Sequence, residues 1–327
     1  MRRPRRRTDP RTEPRGPKVV ALGGGHGLAA SLRALRHVTD SLTAVVGVAD
    51  DGGSSGRLRS EFGVPPPGDL RMALAALCGD DDWGRTWEQV IQHRFGGDGA
   101  LGGHSVGNLL ITALWEETQD TVTGLDWVAA LLEAHGRVLP CTTVPLTIVA
   151  EVLGHDRTRP DDLSIVRGQV EVATTPGTVL DIRLDPPSPP ACPEALQAVG
   201  EADAIVLGPG SWYTSVIPHL AIPELARAIN DSDATRIVVL NLNPQSGETT
   251  DFAAHTYLDV LFNYLPDLRI DTVIADERHV EDREALLRSA ADLGARVFLT
   301  DVSMDGAENA GSHDPQRLAT AFGTVLA

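Results

Sequence analysis

Residues 18–38 read KVVALGGGHGLAASLRALRHV, and this stretch decides the fold. Lys18–Leu22 is a short apolar run closed by glycine, which predicts a buried strand rather than a helix. It breaks into Gly23-Gly24-Gly25-His26-Gly27, after which Leu28–Val38 places Leu28, Leu32 and Leu35 on one helical face. Leu42–Val48 is a second buried strand, ending in Ala49-Asp50-Asp51-Gly52-Gly53-Ser54-Ser55-Gly56. A strand, helix and strand with glycine-rich turns at the C-terminal ends of both strands make a βαβ unit. Open parallel sheets bind ligands at that edge.

Outward from this unit, residues 64–140 read as a mostly helical insertion. Pro65-Pro66-Pro67-Gly68 stops one element, Asp69 is placed to cap the helix Leu70–Leu77, and further helices are expected near 86–95, 105–117 and 125–134. Val144–Val152, Leu163–Val172 and Thr178–Leu184 read as strands of a more antiparallel section, and Pro186–Pro190 as a linker. Strand–helix alternation then resumes from Ala204 to a last helix beginning at His313. The expected fold is α/β, a Rossmann-like, doubly wound, mostly parallel sheet with a helical insertion. It forms one domain over residues 18–327, behind a disordered basic tail at 1–17.

Charge is unevenly distributed. Eight of the 28 Lys and Arg fall in residues 1–18, against two of the 45 Asp and Glu, so the rest of the chain carries a net charge of −23. Such a body is a poor general binder of nucleic acid or anionic membrane. Aromatic residues make up only 4%, which disfavours a base-stacking platform. Lys18 is the only lysine, so a Walker-type phosphate lysine and a Schiff-base lysine are both excluded from the folded part. Cys78, Cys141 and Cys192 form no CxxC pair, which predicts free thiols in a reducing cytoplasm. No apolar run approaches the roughly 20 residues of a membrane span, so no membrane insertion is expected.

The chemistry-bearing residues lie in the strand-end loops. Gly25–Ala30 fits G-x-G-x-x-A, where glycine permits close backbone approach and the helix start offers N–H groups to an anion. Gly24, Gly25 and Gly27 are therefore candidate ligand residues, with His26 either a phosphate donor or a helix cap. Asp50 and Asp51 run into Gly53, Ser54, Ser55 and Arg57, a set suited to sugar hydroxyls on one side and phosphate, with or without a divalent ion such as Mg²⁺, on the other. Asp69 and Arg71 follow the triproline. His104, Ser105 and Asn108 open another helix. Gly103–Gly107 also has the form G-x-S-x-G, but no apolar strand precedes it, as a hydrolase elbow requires. Gly208, Pro209, Gly210, Ser211, Tyr213 and Thr214 follow one later strand, and Asn241, Gln245, Glu248 and Thr249 follow the next. Four strand-end loops of this composition point to one cleft.

At these residues the sequence resembles the YvcK-like gluconeogenesis factor family, relatives of the CofD-type 2-phospho-lactate transferases. The matching stretches are Gly23–Gly27, Ala49–Leu58, Pro65–Arg71, Gly103–Leu109, Gly208–Ser215 and Gln245–Thr249, in family order. His26 stands where many relatives have Thr, Gln169 where a Gly-Glu pair is usual, and Asn241–Ser246 replaces Asn-x-Met-Thr-Gln-Pro. The resemblance implies a cytoplasmic protein that binds UDP-N-acetylglucosamine. It also implies support of cell shape and wall synthesis on gluconeogenic carbon sources, through a protein partner; it establishes no catalytic activity. A homo-oligomer is expected, with apolar helices near 105–134 as a source of interface.

Two other classes compete. A CofD-type transferase would use Mg²⁺, with Asp50 and Asp51 on the metal and acceptor hydroxyl and with Arg57 and Arg71 on phosphate. That pattern has Gly-Asp-Asp where this chain has Ala49-Asp50-Asp51. An NAD(P) oxidoreductase explains Gly25–Ala30 but leaves the other loops without a role.

Overall fold

A computed structural model describes residues 15–245, 247–306 and 311–327. The first unit is β1 (Val19–Gly23), α1 (Gly25–Leu35), β2 (Leu42–Val46) and α2 (Gly53–Phe62). Helices α3 (Gly68–Ala76), α4 (Asp82–Gln92), α5 (Val106–Thr118) and α6 (Thr121–Leu131) follow, and lead into β3 (Arg137–Pro140). A small antiparallel sheet comes next, from β4 (Thr147–Leu153), β5 (Leu163–Arg167) and β6 (Thr178–Asp185), with the short helix α7 (Gln169–Ala173) between the last two. The second half begins with α8 (Pro193–Gly200) and β7 (Ala204–Leu207), and a π-helical turn Trp212–Val216 then runs into α9 (Ile217–Leu220). It continues through α10 (Pro223–Asp231), β8 (Thr235–Val239), α11 (Ala254–Tyr264), β9 (Thr272–Asp276), α12 (Arg283–Asp292), β10 (Arg296–Thr300) and α13 (Pro315–Val325).

The main sheet has seven strands in the order β10-β9-β8-β7-β1-β2-β3, every pair parallel. Helices cover both faces, so β1, β7 and β9 are buried along their whole length, including Thr272 and Asp276 at the two ends of β9. The strand order reverses between β1 and β7. That reversal is the topological switch point of a doubly wound sheet, and in such sheets ligands bind in the crevice there, outside the carboxyl ends of the strands.

The expected fold class is what the structure shows, with four local differences. Residues 64–140 are not helical throughout: β3 pairs with β2 at the sheet edge. The four residues Arg137–Pro140 carry too little periodicity to be read as a strand, and an edge tolerates the missing N–H of proline. Gln169–Ala173 is a helical turn and not strand, because Gly168 at φ 103° breaks β5 before it. Gly53–Phe62 forms a helix where the sequence reading placed only a glycine- and serine-rich strand-end turn. Residues 15–17, grouped with the tail by composition, lie against the turn between α1 and β2: Arg15 pairs with Asp40, and Thr39 Oγ1 donates to the Arg15 carbonyl at 3.2 Å. The basic stretch 1–14 lies outside the described residues.

Pro186–Pro190 does not separate two cores. Buried residues before it (Ile148, Ile182, Leu184) and after it (Cys192, Ala195, Val199) belong to one continuous apolar cluster, and the Cys192 amide donates to the Cys141 carbonyl at 3.0 Å. In α5 and α6 the residues Ile111, Trp115, Val122, Leu125 and Val128 face this same core. Among the described residues, no helix is long and apolar enough to cross a membrane.

Candidate functional site

The crevice at the switch point is closed by backbone against backbone. A methyl group at Gly27, in the first turn of α1, would stand 2.2 Å from the Pro209 carbonyl oxygen and 2.5 Å from the Gly210 Cα. Glycine is therefore required where the β1 and β7 loops touch. Gly208 sits at φ 75°, and a side chain there would meet the Val239 carbonyl at 2.8 Å. Side chains hold the contact: Ser31 Oγ donates to the Gly208 carbonyl at 2.9 Å, the Gly210 amide donates to Asn241 Oδ1 at 2.8 Å, and Asn241 Nδ2 donates back to the Gly210 carbonyl at 2.9 Å. Asn241 thus joins the β8 loop to the β7 loop. His26 projects from the same helix start into solvent.

A second cluster forms where α2, α3 and α5 begin. The Asn108 amide donates to Ser105 Oγ at 3.2 Å, which caps α5. The Asn108 side-chain amide reaches Ser54 Oγ at 3.1 Å and Ser55 Oγ at 3.4 Å, and His104 Nδ1 lies 3.0 Å from Ser54 Oγ. All five of these side chains are buried. Burial, with Arg57 nearby, holds the His104 imidazole below its ordinary pKa, so its neutral form meets the serine hydroxyl.

Asp50 and Asp51 point apart. The Gly52 amide donates to Asp50 Oδ1 at 2.9 Å, and Asp50 Oδ2 faces Ser55 across Gly68, toward the cleft. Asp51 instead accepts the Val170 amide at 3.0 Å and caps α7. The expected Asp50–Asp51 partnership on a metal or hydroxyl is therefore not formed, because consecutive residues leaving a strand turn to opposite sides. Asp69 takes the place beside Asp50. Its carboxylate faces the Gly25 amide and would touch any side chain at Gly24, so α3 packs against the β1 loop there. Burial and the neighbouring Asp50 push the Asp69 carboxyl up to about 7. Among the described residues, no group of three or more His, Cys, Asp or Glu is placed to hold a metal ion.

Arg71 is 4% exposed and its Nε–H has no hydrogen-bond acceptor. It lines a pocket of 270 Å³ together with Asp50, Gly53, Ser54, Ser55 and Asp69. Arg94 also lines this pocket, and no sequence signal points to it: it lies between α4 and a glycine-rich run, outside every motif. Arg57 is elsewhere, on the outer face of α2. It donates to the Gly102 carbonyl at 2.7 Å and, with Asp51, lines an open depression of 640 Å³.

The remaining predicted residues sit over the π-helical turn. Tyr213 and Thr214 are buried, the Tyr213 ring edge-on to Phe252 at 6.1 Å, and its phenol is pushed up to about 12 by burial. Glu248 is 3% exposed and faces the hydroxyls of Ser211 and Thr214 and the amides of Trp212 and Tyr213; none of them closes to a hydrogen bond on either carboxylate oxygen. Burial raises its pKa to about 7. Thr249 Oγ1 accepts the Gln245 amide at 2.9 Å, which folds this loop back on itself. The structure therefore brings together the β1, β7 and β8 loops at the switch point and the α2, α3 and α5 starts beside it. Asp51, Arg57 and His26 lie at the rim.

Comparison with known proteins agrees with this architecture. The family model described as 2-phospho-L-lactate transferase CofD matches residues 19–312. A relative from Mycobacterium tuberculosis (strain ATCC 25618 / H37Rv) is 49% identical over 312 residues, covering 94% of this chain and 90% of its own. The gluconeogenesis factor of Bacillus subtilis (strain 168) is 35% identical over 266 residues, covering 81% of this chain and 80% of its own. The crystal structure of a UPF0052-family protein from Bacillus halodurans superposes with a TM-score of 0.83 at 31% identity, covering 94% of this chain and 98% of that one. A match running from β1 to beyond β10, on a shared fold, fixes the assignment: the chain belongs to the gluconeogenesis factor family of CofD-like proteins.

Proposed function

We propose that this protein binds a nucleotide sugar, UDP-N-acetylglucosamine, in the switch-point crevice and acts as a regulator rather than as an enzyme. The observation that carries this reading is the closure of Gly27 on Pro209–Gly210, with two helix starts and hydroxyl-bearing loops around it. Such a site takes phosphate through backbone N–H groups, hydroxyls and arginine, in a body whose only lysine is Lys18. Asp50 and Asp69 suit ribose or sugar hydroxyls on the opposite wall. A Mg²⁺ ion brought with the diphosphate would find Asp50 and Asp69, since Mg²⁺ is commonly held by one or two carboxylates plus phosphate oxygens. The same reading places the protein in the cytoplasm, with a protein partner in wall synthesis through which ligand state supports cell shape on gluconeogenic carbon sources.

Thermal-shift titration with UDP-N-acetylglucosamine, UDP-glucose, GDP and NAD tests it. A ligand at 100 times its Kd adds about 2.7 kcal/mol of stability. Stabilisation by the UDP-sugars above GDP and NAD is expected, and no shift with any UDP-sugar at millimolar concentration would sink the proposal. One observation favours a transferase instead: Asp69, with its pKa raised to about 7 beside Asp50, suits a general base for an acceptor hydroxyl. Release of a nucleoside monophosphate from a nucleotide-linked substrate, only when acceptor alcohol is present, would decide for that reading.

A further inference from the structure

Arg94 and Arg71 come from separate elements, and the fold sets both on the wall of one pocket. The Arg71 stem is fixed by packing: a methyl at Gly107 would stand 2.7 Å from its Cγ and 2.9 Å from its Cδ. Arg71 is 4% exposed, its Nε–H lacks an acceptor, and Asp69 and Asp50 on the facing wall attract it through space. Arg94 is equally fixed, although exposed. Its backbone bridges to Ser105, the flanking amides of Phe95 and Val106 bond to the His104 and His93 carbonyls, and its Nη1 donates to the Gly103 carbonyl at 3.0 Å. Burial, and after it repulsion from Arg94, lower the Arg71 pKa to about 10 against the opposing pull of Asp69 and Asp50.

The third wall is the start of α2, a helix of ten residues. Its N-cap Gly52 offers no side-chain cap, and its first turn carries no acidic residue. The first-turn amides at Gly53, Ser54 and Ser55 are thus left for a partner from outside the helix. Hydroxyls of Ser54 and Ser55 flank them, held by Asn108. An uncapped helix start, a buried arginine without an acceptor and a second anchored arginine all border the same 270 Å³.

We propose that Arg71, Arg94 and the α2 start form a subsite for a phosphoryl dianion. Arg94 is its entry-side residue, and the Asp50–Asp69 wall keeps the negative groups on the arginine side. The subsite deepens the nucleotide-sugar reading, because a ligand's diphosphate has the chemistry it selects, but it is testable without any nucleotide. The source is either that diphosphate or a separate phosphate-bearing molecule.

Isothermal titration of the full chain with inorganic pyrophosphate is the test. Wild type should bind, Arg94→Gln should bind at least tenfold more weakly with an unchanged melting temperature, and Arg94→Lys should recover part of the loss. Arg71→Gln removes a buried cation and risks the fold, so the exposed Arg94 carries the decision. Displacement of pyrophosphate by UDP-N-acetylglucosamine would identify the anion as the nucleotide's diphosphate. Simultaneous binding would identify a separate phosphate ligand, and both results support the subsite. Pyrophosphate binding that depends on Arg94, with no UDP-sugar binding at all, would leave the subsite standing and overturn the nucleotide-sugar reading alone. The subsite is refuted if wild type fails to bind pyrophosphate, or if Arg94→Gln binds it as tightly as wild type.

Discussion

Gly27→Ala tests the closure of the crevice with a single methyl group. In the first turn of α1 that methyl would lie 2.2 Å from the Pro209 carbonyl oxygen, where ordinary contact begins at 3.4 Å, so the β7 loop must retreat by about 1.2 Å. Both contacting groups are backbone, and the β7 loop is tied by Ser31 and Asn241, so no flexible side chain absorbs the shift. Overpacking of this kind costs about 1–3 kcal/mol, while alanine gains up to about 1 kcal/mol over glycine in a helix. The ligand-free protein should therefore lose about 0–3 kcal/mol by urea denaturation. Binding should suffer more, since both faces of the crevice are displaced. An affinity at least tenfold weaker for UDP-N-acetylglucosamine is expected, about 1.4 kcal/mol. Gly200→Ala, at the end of α8 with open space around it, is the control: affinity should be unchanged and stability should not fall. If Gly27→Ala binds the nucleotide sugar as wild type does, the crevice is not closed by this contact and the argument fails.

Two further predictions rest on burial. The folded Asp69 has a pKa near 7 against an ordinary 3.8, so between these values the folded state holds a proton that the unfolded chain has released. Its effect on stability falls as pH rises through that window and is constant above it. Asp69→Asn should accordingly gain on wild type between pH 5 and pH 8 in guanidinium denaturation, and a pH-independent difference would contradict the assignment. Burial also raises the thiols of Cys78 and Cys141 to about 12 and that of Cys192 to about 11. All three should resist alkylation at pH 8 in the native protein and react once it is unfolded; fast native labelling would show that the core opens.

Much of the site was legible because its signals are local. A strand that ends in glycine, a helix start with an uncapped turn, and Ser105 followed by the Asn108 amide it caps each depend on a few consecutive residues. The loops at Gly24–Gly27, Gly208–Gly210 and Asn241 were found in this way, and the structure brings them into contact. Local signals mislead where neighbours in sequence part company. Asp50 and Asp51 looked like a pair, but the backbone sends one to the cleft and the other to α7. β3 was missed because four residues at a sheet edge leave almost no pattern. Glu248 gave no hint of its burial, since its neighbours in sequence are polar or small.

The sequence alone determined the alternation of strands and helices, the acidic body with one lysine, and the glycine-rich loops at the strand ends. These follow from periodicity, composition and turn chemistry, which act over a few residues. Only the tertiary structure decided which loops meet. The order β10-β9-β8-β7-β1-β2-β3 puts residues 27 and 209 in contact, sets Asp69 beside Asp50, and lines one pocket with Arg71 and Arg94. Those juxtapositions arise from the pairing of β1 with β7 and from helices packing across the sheet. Both are long-range contacts, and no stretch of the chain encodes them by itself.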